Sequence, residues 1–263
     1  KRKDSNNLLT RAQKSGYQLV FTKSQMQRAN SEGKILGLFS SSGMNNGIKN
    51  TRLLNDNHRV QPTLKEMTMK ALDILSKDED GFFLMIEGGQ IDWAGHGNDA
   101  GTMLHELLKF DDAVNYVYEW VKKRNDTMVV VTADHETGSF GFSYSAANLP
   151  KAKKLSGSGF SKRDYKPNFN FGSKSLLDKL YAQQLSFPDM LLKFSKLEKT
   201  LQTAENLAEI INVNNVFSIT IEQAKEILAT TENPFYAADN KYMSLKTLPK
   251  VNDFQAFYVY GEE

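Results

Sequence analysis

Two short apolar runs and the amphipathic segment between them constrain the fold most strongly. Residues 82–86 (FFLMI) and 128–132 (MVVVT) are continuous apolar runs, which are typical of parallel strands covered on both faces. Between them, apolar residues recur at helical spacing over residues 104–121, and basic residues follow at the end. The order strand, helix, strand predicts neighbouring parallel strands joined by a right-handed crossover.

Further short segments extend this α/β interpretation toward the N-terminus. Residues 17–22 (YQLVFT) and 35–39 (ILGLF) are β-branched and aromatic runs with turn residues around them, and they predict two strands. Pro62 and Thr63 predict the start of a helix that runs to about Leu75. We therefore predict an α/β core over residues 1–142, with a mostly parallel sheet sandwiched by helices.

The composition and periodicity of the sequence change after this core, so we predict an inserted loop and helical subdomain over residues 143–263. The loop, residues 143–172, is rich in Ser, Gly, Lys and Asn and has no clear periodicity. A candidate strand in residues 255–260 (QAFYVY) predicts a return to the core at 254–260. Short helical patterns occupy residues 175–184, 188–199, 204–211 and 221–230.

Composition excludes several classes of site. The chain has no cysteine, so a disulfide or a thiolate zinc site is excluded, and any metal must be held by His and carboxylates. No apolar run approaches the ~18 residues that span a bilayer, so we predict no membrane span. The net charge is +2, and a local excess of basic residues in 151–200 favours a solvated face, so we predict no nucleic-acid partner.

Two clusters of polar residues follow the two apolar runs. Glu87, Asp92 and His96 come directly after the first run, and Asp134 and His135 come directly after the second. In open α/β sheets, ligands bind at the carboxyl ends of the strands, so the two clusters are predicted to converge on one site.

The spacing of these residues favours metal binding. Asp92 and His96 are four apart, so on a helical turn they share a face and can bind one Zn²⁺ together. Asp134 and His135 are adjacent, and joint binding requires the backbone to bend there. Glu87, set among glycines, offers a hard oxygen ligand suited to Mg²⁺.

The same residues also allow simpler interpretations that involve no metal. Asp92 and His96 could form a solvated or capping pair, and Asp134 with His135 could belong to a turn with a helix cap. Of the four histidines, His58 is predicted at the surface and His105 in a solvated or packing role on the long helix.

The motifs GFFLMIEGGQIDWAGHGND and MVVVTADHETG, with PTLKEMTMKALDIL before them, resemble the second half of bacterial alkaline phosphatases. The resemblance covers roughly residues 8–142. It implies an alkaline phosphatase-like α/β fold and hydrolysis of phosphate monoesters at a site with two zinc ions and one magnesium. It also implies a homodimer in which the inserts form the contact, and a periplasmic or secreted location.

The resemblance also implies a role for each matching residue. Asp92 and His96 match ligands of the first zinc, Asp134 and His135 match ligands of the second, and Glu87 matches a ligand of the magnesium. Trp93 matches a position near the magnesium and the phosphate that holds Lys, His or Trp in different members, and we expect it to tune rate and affinity without doing chemistry.

No residue of this chain matches the family's catalytic serine. That serine lies in an Asp-Ser-Ala type segment, which is absent here, and Ser40, Ser41 and Ser42 align with a surface loop. An Asp, a Thr and an Arg of the site also have no match, nor does the zinc-binding His of a Gly-His-Thr type motif. The chain opens on KRKDSNNLL, unlike a native start, so we expect an inactive piece of a longer enzyme. The alternatives are a related metal-dependent phosphodiesterase or phosphomutase, and a non-catalytic binding or scaffold protein that retains the fold.

Overall fold

The computed structural model describes residue 4 and residues 6–138, 149–160, 163–169 and 173–260. In the first long range, short helices pack around one long helix, and a small parallel sheet lies near the N-terminus. Its elements are α1 (Leu8–Lys14), β1 (Tyr17–Val20), α2 (Lys23–Arg28), β2 (Lys34–Gly37), α3 (Gly47–Arg52), α4 (Leu64–Leu75), α5 (Gln90–His96) and α6 (Ala100–Val121).

The strands predicted at 17–22 and 35–39 are confirmed, each with its bounds shifted by one or two residues. β1 and β2 pair in parallel, in a register that runs from Tyr17 opposite Lys34 to Val20 opposite Gly37. Helix α2 lies between them in the chain, as a parallel connection requires.

The prediction that residues 82–86 and 128–132 pair as neighbouring strands is wrong. Neither run belongs to a strand, and no ladder joins them. The first run still alternates like a strand, because Phe82 is half-buried and packs edge-on against Trp120 of α6, whereas Phe83 is 89% exposed and Met85 is 75% exposed. One face of this run is therefore covered by α6, and the second face, which we predicted to be buried, is open.

Helix α4 begins where Pro62 and Thr63 predict it and ends at Leu75, so this prediction is confirmed. Thr63 and Glu66 form a capping box, in which each side chain accepts a hydrogen bond from the other residue's backbone N–H. Partial burial opposes the ionisation of Glu66, but hydrogen bonds from Arg59, the Thr63 N–H and Lys23 hold the pKa of this carboxyl at about 2.

The predicted long helix is confirmed as α6, which has 22 residues and is contacted by α3, α4, α5 and the helix Ser175–Tyr181. Its contact with α3 depends on Gly47, because a Cβ there would lie 2.6 Å from the carbonyl carbon of His105. The Gly47 N–H donates to the buried carboxyl of Glu106 at 2.5 Å.

The C-terminal part of the chain is helical, as predicted, and holds the largest apolar cluster of the described residues. The cluster joins four C-terminal helices to Ala100 at the start of α6, and Phe187, Met190, Leu207 and Ile211 are fully buried in it. The elements are β3 (Lys153–Lys154), β4 (Asp164–Tyr165), α7 (Ser175–Tyr181), α8 (Phe187–Ser195), α9 (Ala204–Asn214), α10 (Ile221–Leu228), β5 (Thr230–Glu232) and β6 (Thr247–Pro249).

Two antiparallel ladders, β3 with β4 and β5 with β6, complete the sheets of the described residues. The first ladder and a 3-10 turn at Ser158–Phe160 lie within the segment predicted as a long loop. The predicted domain boundary after residue 142 falls in 139–148, outside the described residues.

The strand expected at 255–260 is a turn of π-helix, Gln255–Val259, so this prediction is wrong. A short apolar run fits a strand and a buried helical turn equally well. Here the helical turn buries Phe254 and Val259 in the apolar cluster, and the ring of Phe254 lies edge-on against Phe187 with the ring centroids 5.5 Å apart.

A buried carboxylate, Asp99, joins α6 to the C-terminal helices. It caps α6 by accepting hydrogen bonds from the N–H and hydroxyl of Thr102. It also accepts from Gln183 Nε2 at 2.7 Å and from the Phe187 N–H at 2.8 Å. Tyr260 donates to the other end of the Gln183 amide. Burial raises the pKa of Asp99, while these hydrogen bonds oppose the rise.

None of the helices in the described ranges is long and apolar enough to cross a lipid bilayer.

The Asp99→Ala substitution is expected to lower the free energy of unfolding by roughly 3–5 kcal/mol, because it removes a cap and leaves buried donors of Gln183 and Phe187 without an acceptor. Chemical denaturation measures this. The control is Asn7→Ala, which removes the exposed cap of α1 and should cost about 1 kcal/mol. Equal losses in the two variants would contradict a joining role for Asp99.

Glu106 is expected to make stability depend on pH. Burial raises its pKa from 4.5 to about 7, against the Gly47 N–H and Lys109, which lower it. The folded chain therefore keeps this proton at a pH where the unfolded chain loses it, so stability falls as pH rises from about 4.5 to 7.

In Glu106→Gln the free energy of unfolding should decrease less between pH 5 and 8 than in the wild type, by roughly 1–3 kcal/mol. Urea denaturation across that range measures it. Glu119→Gln, at an exposed position of the same helix, is the control, and its free energy of unfolding should decrease with pH as much as that of the wild type.

Candidate metal centre

Helix α5 carries the first pair of candidate ligands. Asp92 and His96 lie on one face of this helix, with His96 Nε2 at 3.5 Å from Asp92 Oδ1. The start of the helix lacks a side-chain cap, and Gln90 anchors it instead by donating to the carbonyls of Met44 and Asn45.

The loop after residue 132 carries the second pair. Asp134 accepts a hydrogen bond from the His135 N–H, which bends the backbone so that the two side chains lie on the same side. His135 Nε2 then lies 3.4 Å from Asp134 Oδ2. Both side chains are well exposed, at 87% for Asp134 and 60% for His135.

Thr137 brings the two pairs together. Its hydroxyl donates to Asp92 Oδ1 at 2.7 Å and lies 3.3 Å from His135 Nδ1. The same Nδ1 lies 2.7 Å from the carbonyl oxygen of Glu136. Since a carbonyl only accepts, this hydrogen bond requires the proton on Nδ1, and in the neutral tautomer that makes it Nε2 has the lone pair.

Electrostatics at His135 reflect this arrangement. The hydrogen bond to the Glu136 carbonyl and the negative charges of Asp134 and Asp92 raise the pKa of the His135 imidazole. The contribution of Asp92 is consistent with the closeness of the two pairs.

Two glycines permit the approach of α5 to this loop. A Cβ on Gly95 would lie 2.9 Å from the Thr137 carbonyl oxygen and 3.1 Å from Thr137 Cβ. A Cβ on Gly138 would overlap the Gly95 carbonyl oxygen, and Gly138 also has a φ of +73°, which favours glycine. Side chains at these positions would therefore push the two elements apart.

The donors fit part of a zinc centre. Ligands at ~2.0–2.1 Å from a tetrahedral zinc ion are about 3.3–3.4 Å from each other. The separations of 3.5 Å in the first pair and 3.4 Å in the second are close to that value. However, zinc sites use three or four protein ligands, and nowhere in the described ranges do three carboxylate or imidazole side chains converge on one metal position.

Glu87 at the start of the first cluster and Trp93 within it lie outside the two pairs. Glu87 is exposed, and no described contact joins it to the two pairs. Trp93 is 58% exposed, and its indole ring lies against Gly43, where a Cβ would overlap it. Ser40 donates to the Gly43 carbonyl, so the loop with Ser40, Ser41 and Ser42 lies beside Trp93.

The other two histidines lie outside the two pairs, as predicted. His58 is exposed. His105 is buried in α6, where its ring stacks on Tyr181 with centroids 4.5 Å apart and Nε2 lies 3.0 Å from the Tyr181 carbonyl oxygen.

Sequence reasoning gave no role to Thr137, Gln90 or Gly95. Thr137 lies two residues after His135 within the second motif, so a hydroxyl so close to two candidate ligands was a usable signal. Gln90 and Gly95 offered none, because their partners are distant in the chain or are backbone atoms.

Comparison with known proteins identifies the class to which this fold and site belong. The family model described as Alkaline phosphatase matches residues 1–231, so the chain belongs to the alkaline phosphatase family. The resemblance inferred from the two motifs is thereby confirmed.

Individual relatives give the same family. Alkaline phosphatase 3 of Bacillus subtilis is 42% identical over 139 residues, which are 53% of this chain and 28% of the relative. Alkaline phosphatase of Escherichia coli is 35% identical over 151 residues, which are 50% of this chain and 32% of the relative. The chain thus spans about a third or less of the length of these curated relatives.

Solved structures confirm the α/β fold. The alkaline phosphatase of Thermus thermophilus superposes with a TM-score of 0.64 and 25% identity, over 86% of this chain and 42% of that one. A cold-active alkaline phosphatase from a psychrophilic Shewanella superposes with a TM-score of 0.57 and 24% identity, over 85% of this chain and 46% of that one.

Gly138→Ala is expected to cost more than the strain of its backbone alone, because the new Cβ would overlap the Gly95 carbonyl oxygen. Gly81→Ala is the matched control, since Gly81 has a φ of +86° with nothing within 4 Å of a Cβ. The control should lose about 1–2 kcal/mol of unfolding free energy in chemical denaturation, and Gly138→Ala distinctly more. Equal losses would show that α5 and the loop do not touch in solution.

Proposed function

We propose that this chain contributes part of the active site of a metal-dependent alkaline phosphatase that hydrolyses phosphate monoesters. The observation that carries the proposal is the meeting of the two imidazole–carboxylate pairs through Thr137. Family membership supplies the reaction class, and the geometry of the pairs supplies the metal chemistry.

In this proposal Asp92 and His96 hold one zinc ion, and Asp134 and His135 hold a second. Glu87 holds a magnesium ion, since a carboxylate among glycines suits a hard cation. Metal ions held by these residues would supply positive charge that offsets the charge of the phosphoryl group during its transfer. Each pair offers two of the three or four ligands of a zinc site, so further ligands must complete both sites.

The chain's own residues orient these donors. The Glu136 carbonyl holds the proton of His135 on Nδ1, which leaves Nε2 free to bind metal. Gln90 anchors the start of α5 and so fixes the direction of Asp92. Trp93, against Gly43, shields one side of this helix.

We propose that the attacking serine is not part of this chain and that the 263 residues alone are inactive. The three serines at 40–42 are the nearest alternative, because their loop lies beside Trp93. The family resemblance further suggests a homodimer in the periplasm or outside the cell.

Two other functions compete with this proposal. A related metal-dependent phosphodiesterase or phosphomutase would use the same ligand types. A non-catalytic binding or scaffold protein would agree with the observation that, in the described ranges, no three ligands converge. A panel of phosphate monoesters, diesters and phosphosugars, assayed on the full-length gene product, separates these functions.

The 263-residue chain is expected to bind zinc weakly, with up to two ions per chain, and to show no turnover of a chromogenic phosphate monoester in excess Zn²⁺ and Mg²⁺. Calorimetry should show that the paired change of Asp92 and His96 to Ala removes one zinc ion, as does the paired change of Asp134 and His135. The control is His58→Ala, at an exposed histidine outside the pairs.

Turnover that tracks the protein and disappears in Asp134→Ala would show that a residue of this chain is the nucleophile. Replacing Ser40, Ser41 and Ser42 with Ala, one at a time, would then identify it. Zinc binding that neither paired change reduces would refute the proposed metal ligands.

A further inference from the structure

Thr137 lies where helix α5 meets the loop of residues 134–138. Its hydroxyl donates to Asp92 Oδ1 at 2.7 Å, although the two residues are 45 positions apart in the chain. The neighbouring backbone is shaped to this contact, because Gly95 faces the Thr137 carbonyl and Gly138 faces the Gly95 carbonyl.

The hydroxyl can serve both pairs at once. Thr137 uses its single proton toward Asp92, so toward His135 its oxygen can only accept. His135 Nδ1 carries a proton, and its distance to the Thr137 oxygen is 3.3 Å. With Nδ1 as donor, the Glu136 carbonyl and the Thr137 hydroxyl are both within its reach, and hydrogen bonds can run from His135 to Thr137 and from Thr137 to Asp92.

We propose that Thr137 is a positioning residue that holds Asp92 and His135, and with them the two zinc half-sites, in a fixed relation. This inference rests on the proposed function for its metal, but the contact itself exists without metal. Hydrogen bonds from outside the ligand set orient metal ligands, and their loss typically reduces metal affinity about 10–100-fold.

A hydroxyl is required for this role, whereas its methyl group is not. Thr137→Val keeps the shape of the side chain and removes the hydroxyl, while Thr137→Ser keeps the hydroxyl. Thr132→Val is the matched control, because the Thr132 hydroxyl lies in the same segment and donates only to the carbonyl of its neighbour Ala133.

The first measurement needs no metal. Amide hydrogen exchange of the metal-free 263-residue chain should become faster in both residues 90–98 and residues 134–138 of Thr137→Val. Thr137→Ser and Thr132→Val should exchange like the wild type. Unchanged exchange in Thr137→Val would overturn the proposal, since the contact would then not hold the two segments together.

The second measurement is zinc affinity by calorimetry, with zinc alone as the probe. Thr137→Val should weaken zinc binding about 10–100-fold, with Thr137→Ser close to the wild type. In an Asp92→Ala background the Thr137→Val change should have a much smaller effect, because its partner is gone. Faster exchange together with unchanged zinc affinity would reduce Thr137 to a structural residue and refute the positioning role.

The two measurements separate this inference from the proposed function. If the wild-type chain binds no zinc, the proposed metal ligands fail, and hydrogen exchange alone decides whether Thr137 holds Asp92 and His135 together. If zinc binds to the wild type and Thr137→Val also behaves like the wild type in both measurements, the proposed ligands stand and the role of Thr137 is refuted.

Discussion

The buried carboxylate of Asp99 is the interaction on which the rest of the arrangement depends. It caps α6, and it accepts hydrogen bonds from Gln183 and from the backbone of Phe187. Through them the start of α6 is fixed to the C-terminal apolar cluster, which also buries Ala100. The Asp99 N–H donates back to the Ala94 carbonyl, so the end of α5 is tied to the same point. A carboxyl group this deeply buried is tolerated because its two oxygens accept hydrogen bonds from Thr102, Gln183 and Phe187.

The end of helix α5 is thus fixed in position, and small residues determine how closely the helix approaches the loop of residues 134–138. Gly95 and Gly138 leave room for the backbones to touch, and the Thr137 hydroxyl then reaches Asp92. The two imidazole–carboxylate pairs are the proposed metal ligands, and their relation to each other is set by these neutral groups. The geometry of such a site depends on how closely the two backbone segments approach each other as much as on the ligand side chains.

Much of the fold could be predicted from local patterns. Caps and periodicity placed α4, α6 and the C-terminal helices, because a capping box or an apolar stripe acts within a few residues. The apolar runs at 82–86 and 128–132 led to a wrong prediction of paired strands, because a strand needs a hydrogen-bonded partner and no local pattern identifies that partner. Met128 and Val130 remain 86% and 72% exposed, and Phe83 and Met85 are similarly open. The turn of π-helix at Gln255–Val259 was missed for a related reason, since its contact with Phe187 is distant in the chain.

The sequence by itself determined the family and the candidate ligands, because Asp92 with His96 and Asp134 with His135 are recognisable from residue type and spacing alone. Only the tertiary structure decided that the two pairs meet through Thr137, that Gln90 anchors α5, and that His105 packs on Tyr181. The physical reason is the range of the interactions. Spacing along a helix or a loop is local, whereas a hydroxyl 45 residues from its acceptor finds it only after α6 has packed.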